Sequence, residues 1–385
     1  MIYTGGSALG TIVMMHFPSD TGFALGALEK IFHAAACEVS GPDGVHFSYP
    51  RLAEGRAPSL PPGFDRLLEH DLRRSRSHQG RQLSDYLKAN GIERALAFDV
   101  GPGHPSLHAL RRGGASRVVS YFGAPLGTPR RGLSLLLRRL RTALQEQPDL
   151  YVFESLAMQE SAIKGGRGIP ASKTTIIRTG LDLDRFRPRD ENSPDSLPAD
   201  LGIPADRKVV FYAGHTTPRK GIDTILDSAA DLVDQRGRRD VHFLLCGDRK
   251  GEAEEYLARL DGTRARAHVT FGGYRDDIPD LMAASYCGVI ASTGWDSFPR
   301  SAMEMSASGL PLLASALQGL VETVDHGRTG YLFEPGDSTA LADLIADLLD
   351  QPAERDRLGA ASRLLAEKQY SEQRQVEELA EALRG

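Results

Sequence analysis

The stretch VVFYAGHTTPRKG, residues 209–221, decides the fold of this chain. Five apolar or aromatic residues form a strand, a loop with a glycine and two cations follows, and a helical pattern begins at 221. At the start of a helix, free N–H groups and the helix dipole favour an anion such as phosphate. The stretch therefore predicts an anion site with Lys220 on the anion, since a merely solvated lysine there would oppose the dipole.

Short apolar strands alternate with helical patterns on both sides of this stretch. Strands are predicted at 11–17, 45–49, 94–99, 117–122, 150–154 and 174–179, and again at 208–213, 241–246, 269–271, 287–292, 311–314 and 330–333. Helices are predicted near 22–36, 66–89, 105–112, 133–147 and 156–164, and near 221–235, 251–260, 278–284, 300–308, 319–325 and 338–350. This alternation predicts an α/β protein with two Rossmann-like, doubly wound parallel sheets.

The proline-rich acidic stretch that starts at 184 has no periodicity and suits a linker between domains. We expect an N-terminal domain at 1–185, a linker at 186–203, a C-terminal domain at 204–370, and a polar helix at 371–385 that packs back on the N-terminal domain. Two such domains facing each other would leave a cleft at the carboxyl ends of their strands, where ligands of open α/β sheets bind.

The composition is that of a globular protein, with 41% hydrophobic and 25% charged residues among 385. No apolar run approaches the roughly 18 residues of a membrane span, and the first residues lack a signal-peptide pattern. Cys37, Cys246 and Cys287 are far apart in apolar segments and lack metal-ligand spacing, which is typical of reduced core cysteines. We therefore expect a cytoplasmic protein, either free or peripheral on the inner face of the membrane.

A second loop also leads into a helix, in the stretch STGWDSFPRSAME at 292–304. Asp296 lies in the loop, and Glu304 lies eight residues later in the predicted first helical turn. Carboxylates beside an anion site would repel the anion unless they accept hydrogen bonds from ligand hydroxyls. Sugar and ribose hydroxyls meet this requirement. For Glu304 alone, stabilising the helix through its dipole is an equal alternative.

Together these motifs resemble the C-terminal domain of retaining family 4 glycosyltransferases (glycosyl transferases group 1) of the GT-B fold. The similarity covers roughly residues 205–350, through the segments 209–221, 296–304, 308–311, 319–322 and 326–330. The N-terminal domain resembles the family more weakly, with PSDTGF at 18–23 in the position of its glycine-rich loop. The resemblance implies the GT-B architecture, in which two Rossmann-like domains face each other across a cleft.

The resemblance also implies roles for individual residues. Lys220 would contact the diphosphate, Asp296 would accept from donor-sugar hydroxyls, and Glu304 would accept from the ribose. The implied donor site further includes Gly22, Gly214, His215, Arg219, Tyr274 (beside the base), Ser297, Phe298, Pro299, Arg300 and Ser301. The family needs no metal, and no cluster of histidines and carboxylates in the sequence suggests one. We expect no cofactor apart from a nucleotide-diphosphate sugar, UDP- or GDP-linked, as donor substrate.

Three positions depart from the family's usual residues. His215 stands in place of an arginine on the diphosphate, Asp296 in place of a glutamate, and Arg300 in place of a small or apolar residue. Because a free imidazole is mostly neutral at neutral pH, we hypothesise that Arg300, together with Arg219, supplies the positive charge that His215 lacks. Loss of Arg300 should then weaken nucleotide binding more than loss of His215.

One candidate lies in the N-terminal domain. The stretch DVGPGHPS at 99–106 follows a strand and opens a helix, in a region where the resembled family places a histidine that touches the donor sugar. His104 is therefore a candidate catalytic residue. A helix-capping or surface histidine is an equal alternative.

The N-terminal half is strongly basic. From Asp65 to Asp149 there are 15 Arg and Lys against 8 Asp and Glu, a net +7, whereas the chain as a whole carries −5. In LSLLLRRLRTALQEQ, residues 133–147, leucines form one helical stripe beside three arginines. Such a helix lies on an anionic membrane or packs on its own sheet, and we expect the leucines to pack. The arginines indicate an anionic acceptor, a lipid-linked acceptor or a peripheral membrane contact.

The sequence thus predicts a retaining, metal-independent hexosyltransferase that uses a nucleotide sugar and an unidentified sugar, natural-product or lipid-linked acceptor. A sugar-nucleotide epimerase, a glycoside phosphorylase, or a degenerate sugar-nucleotide-binding protein of the same fold remain alternatives. Nucleic acid is not an expected partner, because the chain is acidic overall and lacks a recognition module. A dinucleotide-dependent dehydrogenase is disfavoured, because no GxGxxG follows the strand at 11–17. The oligomeric state is not indicated.

Overall fold

The structure is a computed structural model that describes residues 9–20, 23–74, 78–165, 167–190, 197–249 and 251–385. The chain forms two compact units. The first unit comprises Met1–Gly180 and Glu372–Gly385, and the second comprises Leu181–Ser371.

The first unit is built on a parallel sheet, with seven strands among the described residues. They are β1 (Gly10–Met14), β2 (Val45–Tyr49), β3 (Leu67–Glu69), β4 (Ile92–Phe98), β5 (Arg117–Phe122), β6 (Leu150–Phe153) and β7 (Thr174–Ile176), in the order β3-β2-β1-β4-β5-β6-β7. Its helices include α1 (Phe23–Ser40), α2 (His78–Ala89), α3 (Pro105–Arg112), α4 (Gly132–Ala143) and α5 (Leu156–Lys164). The strand order reverses between β1 and β4.

The second unit repeats this plan with six strands in its described part. They are β8 (Lys208–Ala213), β9 (Val241–Cys246), β10 (Val269–Gly273), β11 (Cys287–Ile290), β12 (Leu312–Ser315) and β13 (Gly330–Phe333), in the order β10-β9-β8-β11-β12-β13. Its helices are α6 (Ile222–Ala230), α7 (Glu252–Ala258), α8 (Ile278–Ala284), α9 (Arg300–Ala307), α10 (Ser338–Asp350) and α11 (Pro352–Gln369). Here the order reverses between β8 and β11.

Both sheets are parallel and buried, which explains why their strands are short continuous apolar runs. The predicted bounds of β2, β5, β8, β9 and β13 agree with the structure residue for residue. All the strands predicted from the sequence are present, and the predicted α/β class with two doubly wound sheets is confirmed.

The last helix, α12 (Glu372–Arg384), lies in the first unit against α1. Leu379 and Leu383 are fully buried there, in the same apolar cluster as Phe32 of α1. The side chain of Gln375, also buried, accepts a hydrogen bond from the Gly180 amide at 2.6 Å. The polar sequence of α12 thus hides one apolar face, which the first unit covers.

Two predicted boundaries differ from the structure. The helix expected at 66–89 begins only at His78, because Leu67–Glu69 is an edge strand that pairs with β2. The stretch expected to be a linker at 186–203 is partly packed, because Phe186 and Leu201 are buried in the core of the second unit. The chain changes units between Gly180 and Leu181 instead.

Helix α11 was absent from the sequence prediction. Its buried positions include small residues such as Gly359 and Ser362, so its apolar stripe is weak. A Cβ on Gly359 would lie 2.5 Å from the carbonyl oxygen of Gly309. The helix therefore approaches the backbone of its neighbour closely, which small residues allow and hydrophobic periodicity does not reveal.

Helix α4 corrects a prediction about packing. Its leucines were expected to lie on the sheet, but Leu133, Leu136, Leu137, Leu140 and the adjacent Leu144 are all exposed.

Among the described residues, no helix is both long enough and apolar enough to cross a membrane. Within the same residues, the three cysteines are free thiols, with Cys246 and Cys287 buried and Cys37 half-buried.

Candidate functional site

The two loops identified from the sequence meet where the strand order of the second sheet reverses. One loop follows β8 and the other follows β11, and these two strands are neighbours. In open α/β sheets, ligands bind at this point because the connections on either side leave in opposite directions. The topology therefore brings together two stretches that are about 76 residues apart in the sequence.

Lys220 and Asp296 form an ion pair between these loops. The Lys220 Nζ donates to Asp296 Oδ2 at 2.6 Å, and the Ser292 hydroxyl donates to the same oxygen at 2.7 Å. The two charged side chains are only 14% and 9% exposed. An ammonium group has three donor positions, so Lys220 can keep Asp296 and still bind a second anion. No hydrogen bond from the described residues reaches Asp296 Oδ1, which leaves that oxygen for a ligand hydroxyl.

Arg219 connects the same two loops. Its carbonyl accepts from the amides of Thr293 at 2.8 Å and Gly294 at 3.2 Å, and its guanidinium donates to the Trp295 carbonyl at 2.8 Å. The sequence placed Arg219 among the donor-binding residues. The structure adds a positioning role, because these bonds hold the loop that carries Asp296.

Gly221 lets the two loops approach each other. Its φ is +71°, and a Cβ built on it would lie 1.7 Å from the Ala291 carbonyl oxygen at the end of β11. Only glycine fits this combination of left-handed backbone and close approach. The spacing between Lys220 and the β11 loop therefore depends on glycine at position 221, which has no Cβ.

Both helices at the site begin without a side-chain cap. Gly221 precedes α6 and Pro299 precedes α9, and neither supplies a capping hydrogen bond, whereas Asp337 caps α10. The first N–H groups of an α-helix have no partner within the helix. Uncapped helix starts beside Lys220 therefore suit an anionic ligand.

The residues that lead into α9 are held firmly. The Phe298 side chain is buried and its ring packs edge-on against Tyr370, with 5.8 Å between centroids. Gly319 lies directly against the Ser297 carbonyl, since a Cβ there would be 1.4 Å from that oxygen. Ser297, Pro299 and Ser301 are half-buried. The predicted phosphate-binding segment is thus anchored on the protein side.

Glu304 pairs with Arg300 on α9. The Arg300 Nε donates to Glu304 Oε1 at 2.9 Å, and no hydrogen bond from the described residues reaches Oε2. Burial raises the pKa of the Glu304 carboxyl, while the Arg300 guanidinium opposes that shift. The sequence predicted Glu304 in the first helical turn. Because α9 begins at Arg300, Glu304 lies in its second turn instead. This position removes the helix-dipole alternative for Glu304 and leaves Oε2 free to accept from a ligand hydroxyl.

The remaining predicted donor-site residues of the second unit are less constrained. His215 is exposed, and its carbonyl accepts from the Tyr212 hydroxyl at 2.8 Å. Gly214 extends the pairing of β8 with β9 through a 3.0 Å bond to the Cys246 carbonyl. Tyr274 follows β10 and is 66% exposed. Their contacts with a nucleotide stay predictions.

In the first unit, His104 caps a helix. Its Nδ1 accepts from the Ser106 amide at 3.3 Å at the start of α3, and it lies 2.8 Å from the Ser106 hydroxyl oxygen. Burial lowers the pKa of His104, and the charges of Arg167 and His16 lower it further. His104 is therefore the helix cap that the sequence offered as an alternative. A contact between His104 and a donor sugar stays a prediction. Gly22 lies outside the described residues.

A pair of polar residues in the first unit was not predicted from the sequence. His16 follows β1 and Asp99 follows β4, the two strands at which the order of that sheet reverses, and His16 Nδ1 lies 3.8 Å from Asp99 Oδ2. Asp99 has a left-handed backbone with φ of 58°, which is costly for a side-chain-bearing residue and often marks a functional site. Burial raises its pKa to about 6, opposed by a hydrogen bond from the Gly123 amide. Polar residues directly after two adjacent strands were the available signal.

Comparisons with known proteins show what this chain is similar to. Residues 194–365 match the family model described as glycosyl transferases group 1. A D-inositol 3-phosphate glycosyltransferase of Streptomyces avermitilis is 32% identical over 207 residues, which cover 51% of this chain and 43% of that protein. Spore coat protein SA of Bacillus subtilis is 30% identical over 220 residues, which cover 54% of this chain and 58% of that protein. The chain thus spans about half the length of the curated relatives that it matches.

Solved structures share the fold over nearly the whole chain. HepE of Anabaena, in complex with UDP-glucose, has a TM-score of 0.71 at 19% identity and covers 97% of this chain and 99% of its own. WaaG, a glycosyltransferase involved in lipopolysaccharide biosynthesis, has a TM-score of 0.68 at 19% identity and covers 97% of this chain and 100% of its own. Residues 194–365 therefore match the model of glycosyl transferases group 1, and the chain has the fold of GT-B glycosyltransferases.

Proposed function

We propose that the protein is a retaining, metal-independent glycosyltransferase that moves a hexose from a UDP- or GDP-sugar to an acceptor hydroxyl. The observation that carries this proposal is the buried contact between Lys220 and Asp296, beside two uncapped helix starts. A cation and free amides suit the diphosphate, and a carboxylate held next to them suits the hydroxyls of the sugar.

The proposed reaction follows from where charge develops. The bond between the sugar C1 and the diphosphate oxygen breaks, and the acceptor oxygen bonds to C1 on the same face. The acceptor proton passes to the departing phosphate oxygen, so no side chain has to act as the base. Lys220 and the helix amides stabilise the diphosphate as it gains charge, which is the largest contribution expected from preorganised groups.

Each carboxylate has a distinct place in this proposal. Asp296 Oδ1 accepts from a donor-sugar hydroxyl, while Oδ2 stays with Lys220 and Ser292. Glu304 Oε2 accepts from the ribose, while Oε1 stays with Arg300. Each pair therefore presents one carboxylate oxygen to the ligand without leaving a buried charge unmatched.

The acceptor is proposed to be anionic. The support is the basic stretch from Asp65 to Asp149, where 15 Arg and Lys outnumber 8 Asp and Glu. The Streptomyces relative is named for D-inositol 3-phosphate, a phosphorylated compound. A sugar phosphate, an anionic natural product or a lipid-linked anion would each carry the negative charge that complements this basic stretch.

A donor panel tests the proposed function. The protein is incubated with UDP-, GDP- and ADP-sugars in the presence of EDTA, and donor consumption is followed by mass spectrometry. We expect one nucleotide sugar to be hydrolysed slowly or transferred, with EDTA making no difference, because fixed cations and amides meet the diphosphate charge. UDP-glucose is the first donor to test, since HepE binds it.

The same panel separates the alternatives. Conversion of a sugar nucleotide into its epimer would indicate an epimerase, and phosphate-dependent cleavage of a glycoside would indicate a phosphorylase. Binding without turnover under any acceptor would indicate a degenerate site. Loss of turnover on adding EDTA would contradict metal independence.

The pH dependence of donor binding tests the roles of Glu304 and Arg300. Because burial raises the pKa of Glu304, its accepting carboxylate form is lost at a higher pH than for an exposed carboxyl as the solution is acidified. We expect donor affinity to fall on acidification, and the Arg300→Ala variant to shift this fall to higher pH and to weaken binding at pH 8. His215→Ala should leave the position of the fall unchanged and weaken binding less at pH 8.

Titration calorimetry with the intact nucleotide sugar measures donor affinity at each pH. The intact nucleotide sugar is used because its phosphates are esterified at both ends of the diphosphate, and so it lacks the ionisation that a terminal phosphate shows at about pH 6. Glu304→Gln is the control and should flatten the profile, because an amide does not titrate. Equal donor affinities and equal pH profiles for the wild type and Arg300→Ala would disprove two ideas. One is that Arg300 supplies the positive charge that His215 lacks, and the other is that Arg300 keeps Glu304 ionised in the donor site.

A further inference from the structure

Helix α4 and the residues beside it expose an unusual amount of apolar surface. Leu133, Leu136, Leu137, Leu140 and Leu144 are 70%, 53%, 57%, 55% and 90% exposed. Elsewhere in the described chain, large exposed apolar residues are scattered singly, as Leu364 is. Clustered apolar surface of this kind marks an interaction site, whereas single exposed leucines are ordinary.

The helix turns this apolar stripe away from its own unit. Thr142 is buried, and its hydroxyl donates to the Arg167 carbonyl. A Cβ on Gly168 would lie 3.1 Å from the backbone nitrogen of Arg139. Leu135 and Arg138 are half-buried on the same side as Thr142. By helical spacing, the five exposed leucines occupy the opposite side, which is the side that faces solvent.

Arginines surround the leucine stripe. Arg130 and Arg131 precede α4, and Arg138, Arg139 and Arg141 lie within it. None of the five forms an ion pair with another described residue. The sequence has no Asp or Glu between Asp99 and Glu146, so no carboxylate of this stretch offsets their charge. We call the five leucines together with Arg130, Arg131, Arg139 and Arg141 the α4 surface, and leave out Arg138, which lies on the side of Thr142.

We propose that the α4 surface docks on a lipid bilayer that contains anionic lipids. An amphipathic helix with leucines on one face and arginines beside them lies in the plane of the bilayer interface, with its apolar face inserted. Each arginine near an anionic headgroup layer adds to the attraction. This inference goes beyond the proposed function and does not depend on it.

The charge distribution favours the bilayer over two other occupants. A second copy of the chain would bring the four arginines of the α4 surface against the same four arginines, and like charges at an interface oppose association. A nucleic acid would use the arginines but leave the leucines in water, and no aromatic residue lies between 123 and 150 to stack on bases. A bilayer with anionic headgroups satisfies both parts of the surface.

Vesicle sedimentation tests the docking surface. The full chain is mixed with vesicles of phosphatidylcholine alone, and with vesicles in which about one third is phosphatidylglycerol. We expect binding to the anionic vesicles only, and weaker binding as salt is raised. The double variant Arg139→Gln with Arg141→Gln should weaken binding by about 30-fold. The double variant Leu136→Ser with Leu140→Ser should weaken it by at least about tenfold.

The chain offers matched controls in the second unit. Leu364 is 65% exposed and Arg328 is 74% exposed, so Leu364→Ser and Arg328→Gln remove the same groups from outside the α4 surface. These controls should bind vesicles like the wild type. Because the substituted leucines are exposed, the α4 variants should keep the wild-type melting temperature and nucleotide affinity, which shows that any loss belongs to docking and not to folding or to the donor site.

Three outcomes would overturn the proposal. The first is no binding to anionic vesicles. The second is equal binding by the wild type and both double variants. The third is a dimer in analytical ultracentrifugation that Leu136→Ser with Leu140→Ser dissociates, with no vesicle binding, which would assign the α4 surface to a second copy of the chain.

Discussion

Replacing Lys220 with alanine should lower the rate of sugar transfer by about 100- to 1000-fold, the effect of removing one preorganised group from a developing charge. Lys220 is the cation held between the two loops of the site, and its Nζ lies 2.6 Å from Asp296 Oδ2. The variant loses the charge that meets the departing diphosphate. It also leaves the Asp296 carboxylate buried without its cation, which costs about 3–5 kcal/mol of unfolding free energy.

A double-mutant cycle separates these two effects. Lys220→Ala, Asp296→Ala and the double variant are compared by urea unfolding and by donor turnover. The double variant should recover most of the stability lost in Lys220→Ala, since no buried charge is then unmatched. Its turnover should stay low, because both ligand contacts are gone. Wild-type turnover in a folded Lys220→Ala variant would place the diphosphate elsewhere.

Replacing Gly221 with alanine should destabilise the second unit by about 3 kcal/mol or more, through two costs at one position. The φ of +71° is strained for alanine, and the new Cβ would lie 1.7 Å from the Ala291 carbonyl oxygen. A backbone carbonyl cannot rotate away as a flexible side chain can, so the β8 loop must move away from β11 to make room for the new Cβ. Because Lys220 is the preceding residue, the movement should also reduce donor turnover. Urea unfolding and the donor assay measure the two losses.

Gly237 provides the matched control. It has the same φ of +71°, but nothing lies within 4 Å of a Cβ built on it. Gly237→Ala should therefore show the cost of the left-handed backbone alone, about 1 kcal/mol, with unchanged turnover. If both variants lose the same stability, the contact with Ala291 has no energetic weight, and the spacing of the two loops does not depend on Gly221.

The sequence predicted the elements best where local patterns are strong. The strands β2, β5, β8, β9 and β13 were predicted residue for residue because each is a short apolar run bounded by polar or turn residues. The three-residue strand β3 was missed because its pairing with β2, and not its own pattern, makes it a strand. Helix α11 was missed because its small buried residues pack backbone to backbone and give little apolar periodicity.

The candidate site was predicted in part for a related reason. Lys220, Asp296 and Glu304 lie after strands or in a helix that the sequence located correctly. Their partners were not predicted, since a hydrogen bond between residues 76 positions apart depends on which strands are neighbours. The same holds for His16 and Asp99, which meet only because β1 and β4 are adjacent.

The sequence by itself determined that this chain is a two-unit α/β protein and that a cation and two carboxylates follow the strands of its second sheet. Only the tertiary structure decided that Lys220 holds Asp296, that Arg300 holds Glu304, and that the leucines of α4 face solvent. The physical reason is range. Periodicity and turn chemistry act over a few residues, whereas burial and charge pairing depend on which distant segments lie side by side.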